Sequence, residues 1–288
     1  MSTPDAAGAL AGRVALVTGA ARNIGAASAL AIAAAGGRVL ATDVEPDGLA
    51  ATAERLRAAH GDHAVTTRVA DLADATTADD LVATCLESHG RLDVIVHAAV
   101  DEARGRVEDL TPEQHQHAFA VNVGAAAWLL RAALPHLPDD GASVVLFSSV
   151  QAHRGRWGES LYGATKAAIE GLTRHLAVEL GPRRVRVNAI SPGWVTETHT
   201  PSATERATYP LGRLGTMADI ASVVVFLASD ATSWMTGAVV NVDGGLSVRH
   251  PVDAVRLGSE AARPQGQRSW IRRVAGRTRH RRGPGSSP

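Results

Sequence analysis

The pentapeptide "YGATK" sets Tyr162 and Lys166 four residues apart in a helical pattern. That spacing puts both side chains on one face, one turn apart. A phenol has an ordinary pKa of about 10, poorly suited to proton transfer near neutrality. A neighbouring ammonium stabilises the phenolate and lowers that value. Tyr162 can then take or give the proton of an alcohol while hydride moves at carbon. The chain has 29 Lys plus Arg, and Lys166 is its only lysine. A compact ammonium and a planar guanidinium are not interchangeable at such a site. Ser149 ends an apolar run in "VVLFSS", with Ser148 beside it. A hydroxyl there can hydrogen-bond a substrate oxygen, or can simply close a strand. Asn122, in "VNVG", is polar amid apolar residues. It either carries a proton relay or satisfies local backbone.

A second constellation lies near the N-terminus. "TGAARNIG", Thr18 to Gly25, follows the apolar run "RVALV". Gly19 ends the run and Gly25 opens a helical stretch, as a phosphate-binding turn requires. A helix N-terminus there offers unpaired N–H groups to phosphates. Asn23 stands where a further glycine is expected, and Asn tolerates the left-handed region. Asp43, which ends "VLATD", lies far enough on to accept hydrogen bonds from ribose hydroxyls. It would repel a 2′-phosphate and so favours NAD. Arg22 in the loop pulls towards NADP, the second choice.

The elements that must position these residues alternate regularly. Strand patterns are "RVALVTG", "RVLATD", "AVTTRVAD", "LDVIVHAA", "ASVVLFSS", "RVRVNAISPG" and "GAVVNVDGG". Alanine-rich or amphipathic helical patterns separate them, including "IGAASALAIAAAG", "SLYGATKAAIEGLTRHLAVELG" and "MADIASVVVFLASD". Residues Thr111 to Leu137 read as mostly helical. Such alternation predicts one α/β domain, a Rossmann-like, doubly wound parallel sheet with helices on both faces. Ligands of such sheets bind beyond the carboxyl ends of the strands, and the candidate residues cluster there.

Composition sets the limits. The chain has 288 residues, 45% of them hydrophobic but only 3% aromatic, so Ala, Val, Leu and Ile must build the core. No apolar run approaches the roughly 20 residues of a membrane helix, and "MSTPDAAGALAGR" does not read as a secretory signal. The single cysteine, Cys85, excludes an internal disulfide and reads as buried filler. A cytoplasmic setting fits. Net charge is zero, yet residues 248–288 carry ten arginines against Asp253 and Glu260. The division expected is a flexible N-terminal arm at 1–10, a catalytic domain at 11–247 and an Arg-rich, disordered extension at 248–288. The extension reads as a solvated tail, with a weak nucleic-acid contact as its functional alternative. A chain ending at Ser247 is expected to keep its fold and its cofactor.

Taken together these residues resemble the short-chain dehydrogenase/reductase family, over about residues 10–247. The family's TGxxxGxG motif falls on Thr18, Gly19, Asn23 and Gly25, its adenine-side Asp on Asp71 in "VADL", and its post-strand "PG" on Pro192 and Gly193. Its Ser-Tyr-Lys set falls on Ser149, Tyr162 and Lys166, and its relay Asn on Asn122. "PLGRLG", "FLASD", "TG" and "VDGG" match its C-terminal core. The resemblance implies Tyr162 as general acid/base, Lys166 as the group that lowers its pKa and holds the ribose, Ser149 positioning the substrate oxygen, and Asn122 on a water-linked proton path. It also places Ile24, Leu72, Ala98 and Val195 along the cofactor, requires no metal, and implies a homotetramer or homodimer built through the helices carrying Asn122 and Tyr162.

Three departures stand out. The family's "NNAG" is "HAAV" here, His97 to Val100; His97 reads as a structural histidine rather than a catalytic one. Glu197, flanked by Thr196 and Thr198, holds the position of the threonine that meets the nicotinamide amide. The chain also continues some forty residues past "VDGG". The leading reading is an oxidoreductase interconverting a secondary alcohol and a ketone with NAD. A second is an NADPH-dependent 3-oxoacyl-carrier-protein-type ketoreductase. A third, non-enzymatic, is a nucleotide-sensing or nucleic-acid-binding protein, which would not need the Ser-Tyr-Lys set. Thr196 to Tyr209 is expected to form a lid. With His153, Arg154, Arg156 and Trp157 it suggests an oxygenated or acidic substrate with a cyclic body, as in secondary metabolism or a sugar pathway.

Overall fold

Strands form where short β-branched runs must be buried on both faces, as parallel sheets demand. In the computed structural model, which describes residues 8–250, the first strand β1 (Val14–Thr18) is buried at every position. Val14 and Leu16 join one core cluster and Ala15 and Val17 the other. The remaining strands are β2 (Arg38–Asp43), β3 (Val65–Val69), β4 (Val94–His97), β5 (Ala142–Phe147), β6 (Val185–Pro192) and β7 (Val239–Val242). They form one sheet in the order β3-β2-β1-β4-β5-β6-β7, and every pairing is parallel. This is the doubly wound Rossmann-like sheet expected from the alternation.

Helices α1 (Asn23–Ala34), α2 (Pro46–His60) and α8 (Met217–Ala228) cover one face. Helices α3 (Thr77–His89), α5 (Ala125–Ala133) and α6 (Ser160–Leu180) cover the other. Cys85 is fully buried on this second face, a filler as expected. Chain order runs outward from β1 to β3, then returns to place β4 beside β1. The topological switch therefore lies between β1 and β4, where Thr18 pairs with His97, and ligands of open α/β sheets bind at such a switch.

Helix ends follow local chemistry. Thr111 caps α4 (Pro112–Phe119) in a reciprocal box with Gln114, with proline in the first turn. Thr216 and Asp219 do the same for α8, and Ser202 and Glu205 for α7 (Ala203–Thr208). Between α4 and α5 the chain makes a π turn, Ala120–Gly124, with Asn122 inside it.

Three expectations need correction. Leu10 is buried and its N–H donates to the Ala35 carbonyl, so the packed chain already includes the end of the expected arm. At the other end Arg249 is buried too, so a boundary at Ser247 cuts through packed structure. The helical stretch Pro112–His136 is 25 residues long and apolar enough to cross a membrane, although no such run was expected. Reading contiguous apolar residues missed it because His, Gln and Arg interrupt the run. Its Ala125, Ala126, Leu129 and Leu130 pack into the second core cluster, as in a core helix. The rest of the arm, residues 1–7, and the rest of the Arg-rich extension, 251–288, lie outside the described residues, and with them the expected disorder and any tail contact.

Asn23 has a φ of 49°, in the left-handed region. A β-branched side chain there should cost about 1–2 kcal/mol. Asn23→Val is expected to lower the urea midpoint accordingly, and Asn23→Gly to leave it within about 0.5 kcal/mol of wild type.

Candidate active site

The loop after β1 is shaped by close backbone contact. A side chain on Gly19, φ 67°, would come within 2.6 Å of the Ala99 nitrogen, and one on Gly25 within 2.0 Å of the Gly19 carbonyl oxygen. Both positions therefore admit only glycine. Arg22 precedes α1 and its side chain makes no capping hydrogen bond to the helix N-terminus. The loop is fastened from the side: Asp43 Oδ2 accepts from the Ala21 N–H at 2.9 Å and Oδ1 from the Glu45 N–H at 3.0 Å. Each oxygen keeps a further lone pair for a hydroxyl donor. An uncapped helix N-terminus, a glycine cradle and a carboxylate at the next strand end fit a dinucleotide. Ile24 is half-buried at the helix start, and Arg22 is exposed. Leu72 is buried, and Asp71 is exposed just beyond β3, where its Oδ1 accepts from the Ala73 N–H.

The Thr18 hydroxyl joins this loop to the end of β4. The Ala98 and Ala99 N–H groups both donate to Thr18 Oγ1, at 3.1 Å each. His97 Nδ1 lies 3.0 Å from the same oxygen, and His97 Nε2 lies 3.0 Å from the Val121 carbonyl oxygen. A carbonyl can only accept, so Nε2 carries the proton. Nδ1 is then bare, and the Thr18 O–H donates to it. Burial, with Lys166 nearby, drives the His97 pKa down to about 4 and keeps the ring neutral. This is the structural histidine expected in "HAAV". Val100, next in that stretch, is 45% exposed.

The Val121 carbonyl belongs to the π turn that carries Asn122. The Asn122 side chain accepts from the Asp101 N–H at 2.7 Å, and donates to the Asp101 carbonyl at 2.8 Å and to Thr165 Oγ1 at 3.0 Å. Thr165 in turn donates to the Tyr162 carbonyl at 2.8 Å. The Asn122 side chain thus satisfies the backbone at Asp101, one of the two roles left open for it. The sequence reading missed Asp101 and Thr165; their signal was faint, a threonine three residues after Tyr162 and an Asp opening a turn.

Helix α6 presents Tyr162 and Lys166 one turn apart, and Ser149, just past β5, lies close enough to Tyr162 to influence its phenol. Lys166 Nζ lies 5.5 Å from the Tyr162 ring centroid and donates to the Phe147 carbonyl at 2.9 Å. Burial pushes the Lys166 ammonium down to about 8. Burial also pushes the Tyr162 phenol up, against the effect of the Ser149 hydroxyl, with Glu102 and Glu159 adding to the rise and Arg104 opposing it. Lowering of the phenol by Lys166 must therefore work against burial. Ser149 also pairs with Gln151, a partner the sequence did not suggest: its oxygen accepts from the Gln151 N–H at 3.3 Å and its hydroxyl donates to Gln151 Oε1. Ser148 instead bonds Glu170 Oε1 at 2.9 Å, beneath the site.

Pro192, Gly193 and Val195 close the rim after β6; a side chain on Gly193 would meet Asp243 Cα at 3.0 Å. The expected lid contains α7. Near its start His199 stacks on Trp194 with ring centroids 5.1 Å apart, and its Nε2 lies 3.1 Å from Glu205. Glu197 is exposed. No group of metal-binding side chains occurs among the described residues.

Comparison with known proteins agrees with this geometry. The family model described as enoyl-(acyl carrier protein) reductase matches residues 19–247. The chain is 39% identical over 247 residues to an uncharacterised oxidoreductase of Methylorubrum extorquens, covering 82% of this chain and 98% of that protein. It is 32% identical over 246 residues to a 3-oxoacyl-[acyl-carrier-protein] reductase of Thermotoga maritima, covering 83% and 99%. Carveol dehydrogenase of Mycobacterium avium, solved in complex with NAD, superposes with a TM-score of 0.77 at 28% identity, covering 84% of this chain and all of that one.

The buried imidazole makes this site acid-sensitive. A histidine at about 4 folded and 6.5 in a free chain leaves the fold fully stable above 6.5 and loses that stability as the pH falls towards 4, on the order of 3 kcal/mol in all. Urea midpoints taken between pH 7 and 4 should show this slope, and His97→Asn should flatten it.

Proposed function

The chain belongs to the short-chain dehydrogenase/reductase family of oxidoreductases, and we propose that it interconverts a secondary alcohol and a ketone, with NAD as hydride carrier. The observation that carries this is the cluster of Ser149, Tyr162 and Lys166 at the carboxyl ends of β5 and β6, alongside a glycine-cradled switch point. Gly19, Asn23, Ile24, Gly25 and Ala98 would hold the pyrophosphate side, Asp43 the adenosine ribose, and Asp71 and Leu72 the adenine. Lys166 would hold the nicotinamide ribose, and Pro192, Gly193 and Val195 the nicotinamide. A bound nicotinamide would supply the hydride acceptor for oxidation of the carbinol carbon, or the hydride donor for reduction of the carbonyl.

In oxidation the substrate hydroxyl gives its proton to the Tyr162 phenolate while Ser149 hydrogen-bonds the same oxygen; reduction runs the transfer in reverse. The Lys166 ammonium favours the phenolate by its charge. Asn122 holds the Tyr162 turn through Thr165, and its place on a water-linked proton path is part of this reading. His199 of the lid, stacked on Trp194 before it, with Trp157 and Arg156 at the entrance, suits an oxygenated cyclic substrate of secondary or sugar metabolism. We place the protein in the cytoplasm as a homotetramer or homodimer, paired through the helices that carry Asn122 and Tyr162. Carrier-bound 3-oxoacyl reduction with NADPH is the second reading, favoured by the Thermotoga maritima relative.

Two measurements test the leading reading. Tyr162→Phe should bind NADH nearly as wild type and lose about 10²–10⁴-fold in kcat; full turnover would remove Tyr162 from the mechanism. In calorimetry, wild type should bind NADH more tightly than NADPH. Asp43→Ala should shift that ratio towards NADPH, and the ratio is the readout because the same substitution also frees the Ala21 N–H. Wild type favouring NADPH would reverse the assignment and promote Arg22 to a phosphate ligand.

A further inference from the structure

Residues 246–249 are hydrogen-bonded both to the loop after Ser149 and to the carboxyl end of α7. Helix α7 in the lid is only six residues long, so its last carbonyls depend on partners outside it. Arg249 supplies them: its Nη1 donates to the carbonyls of Ala207 and Thr208. Arg249 is 9% exposed although Val248 beside it is 82% exposed, so the guanidinium is tucked under the lid. A cation at the carboxyl end of a helix also meets the negative end of its dipole. The backbone of the same segment is held from the other side. Arg154, on the loop that begins at Ser149, donates through Nη1 to the Leu246 carbonyl at 2.5 Å and through Nη2 to the Arg249 carbonyl at 3.1 Å. Its own N–H donates to the Val150 carbonyl at 2.9 Å, which ties the side chain's base to the turn that Ser149 caps.

Two arginines thus form a relay of main-chain contacts from the serine loop, through the segment after the last strand, to the lid. The family match ends at Ser247, so Arg249 stands just past it. We infer that Arg249 is a positioning residue for the lid, and that Arg154 couples it to the loop carrying Ser149, so that lid and serine loop move as one body. The inference takes the lid to lie over the substrate side of the proposed oxidoreductase site, but its test requires neither cofactor nor turnover.

Hydrogen exchange of the full chain, followed by mass spectrometry, reads it. In Arg249→Ala, amides of residues 203–209 should exchange about three- to tenfold faster, with the thermal midpoint and the rest of the chain unchanged. Arg249→Lys should recover part of the protection, since a single ammonium replaces a planar fork. Arg154→Met should speed exchange at 203–209 as well, although Arg154 touches no lid residue in the contacts given above. A chain ending at His250 should match wild type, and one ending at Ser247 should match Arg249→Ala. The inference falls if 203–209 keeps wild-type exchange in Arg249→Ala. It falls equally if acceleration spreads evenly over the chain, or if Arg154→Met alters only its own loop.

Discussion

The buried hydroxyl of Thr18 is the contact on which the site's geometry depends. It accepts two N–H groups from the end of β4 and donates to His97. The same oxygen therefore fixes the separation of β1 and β4 at the switch point, the approach of Gly19 to Ala98 and Ala99, and the tautomer of His97. His97 passes the constraint to the π turn, Asn122 to Thr165, and Thr165 to the turn of α6 that carries Tyr162. The glycine loop after β1 and the main chain at Tyr162 are thus ends of one hydrogen-bonded chain. In a low-dielectric interior each link is stronger than in water, and each broken one is costlier.

Charge follows the same economy. Lys166 and His97 are both buried and close enough to repel one another when both are protonated. Burial first, and then the Lys166 charge, hold the imidazole neutral, and both its nitrogens already have partners. The positive charge is thereby confined to the one side chain that faces Tyr162. Burial disfavours the charged forms of Lys166 and Tyr162 alike, so an ammonium–phenolate state needs both members near each other, as the four-residue spacing ensures.

Most of the fold was legible because its signals are local. Each strand is a short apolar run and each helix a periodic one, whereas the sheet order rests on pairings between strands distant in sequence. Tyr162, Lys166, Gly19 and Gly25 were legible as candidates because their residue types have few other uses at those spacings, whereas Ser149 needed their company, since a serine also closes strands. Asn122 was ambiguous for the converse reason: an amide can serve a relay or a backbone, and its contacts with Asp101 and Thr165 are visible only in the fold. Gln151 and Arg249 carried no signal, and Arg154 read as a substrate-side cation although its guanidinium bonds the Leu246 and Arg249 carbonyls, since each acts on atoms distant in sequence or on main-chain groups that every residue has. The start and end of the packed chain were misjudged at Leu10 and Arg249, where a single buried side chain outweighs a polar surrounding composition.

The Thr18–His97 bond joins residues 79 apart in sequence, and every strand pairing beside it requires a crossover. Parallel sheets of this kind close late in folding, because loop entropy is lost before the contacts that reward it form. The phosphate loop is therefore a property of the finished fold and has no counterpart in the open chain. A dinucleotide seated there would bind native molecules alone, and at a hundredfold excess over its Kd would add about 2.7 kcal/mol to their stability. The cellular lifetime of the protein would then rise and fall with the nucleotide pool it draws on.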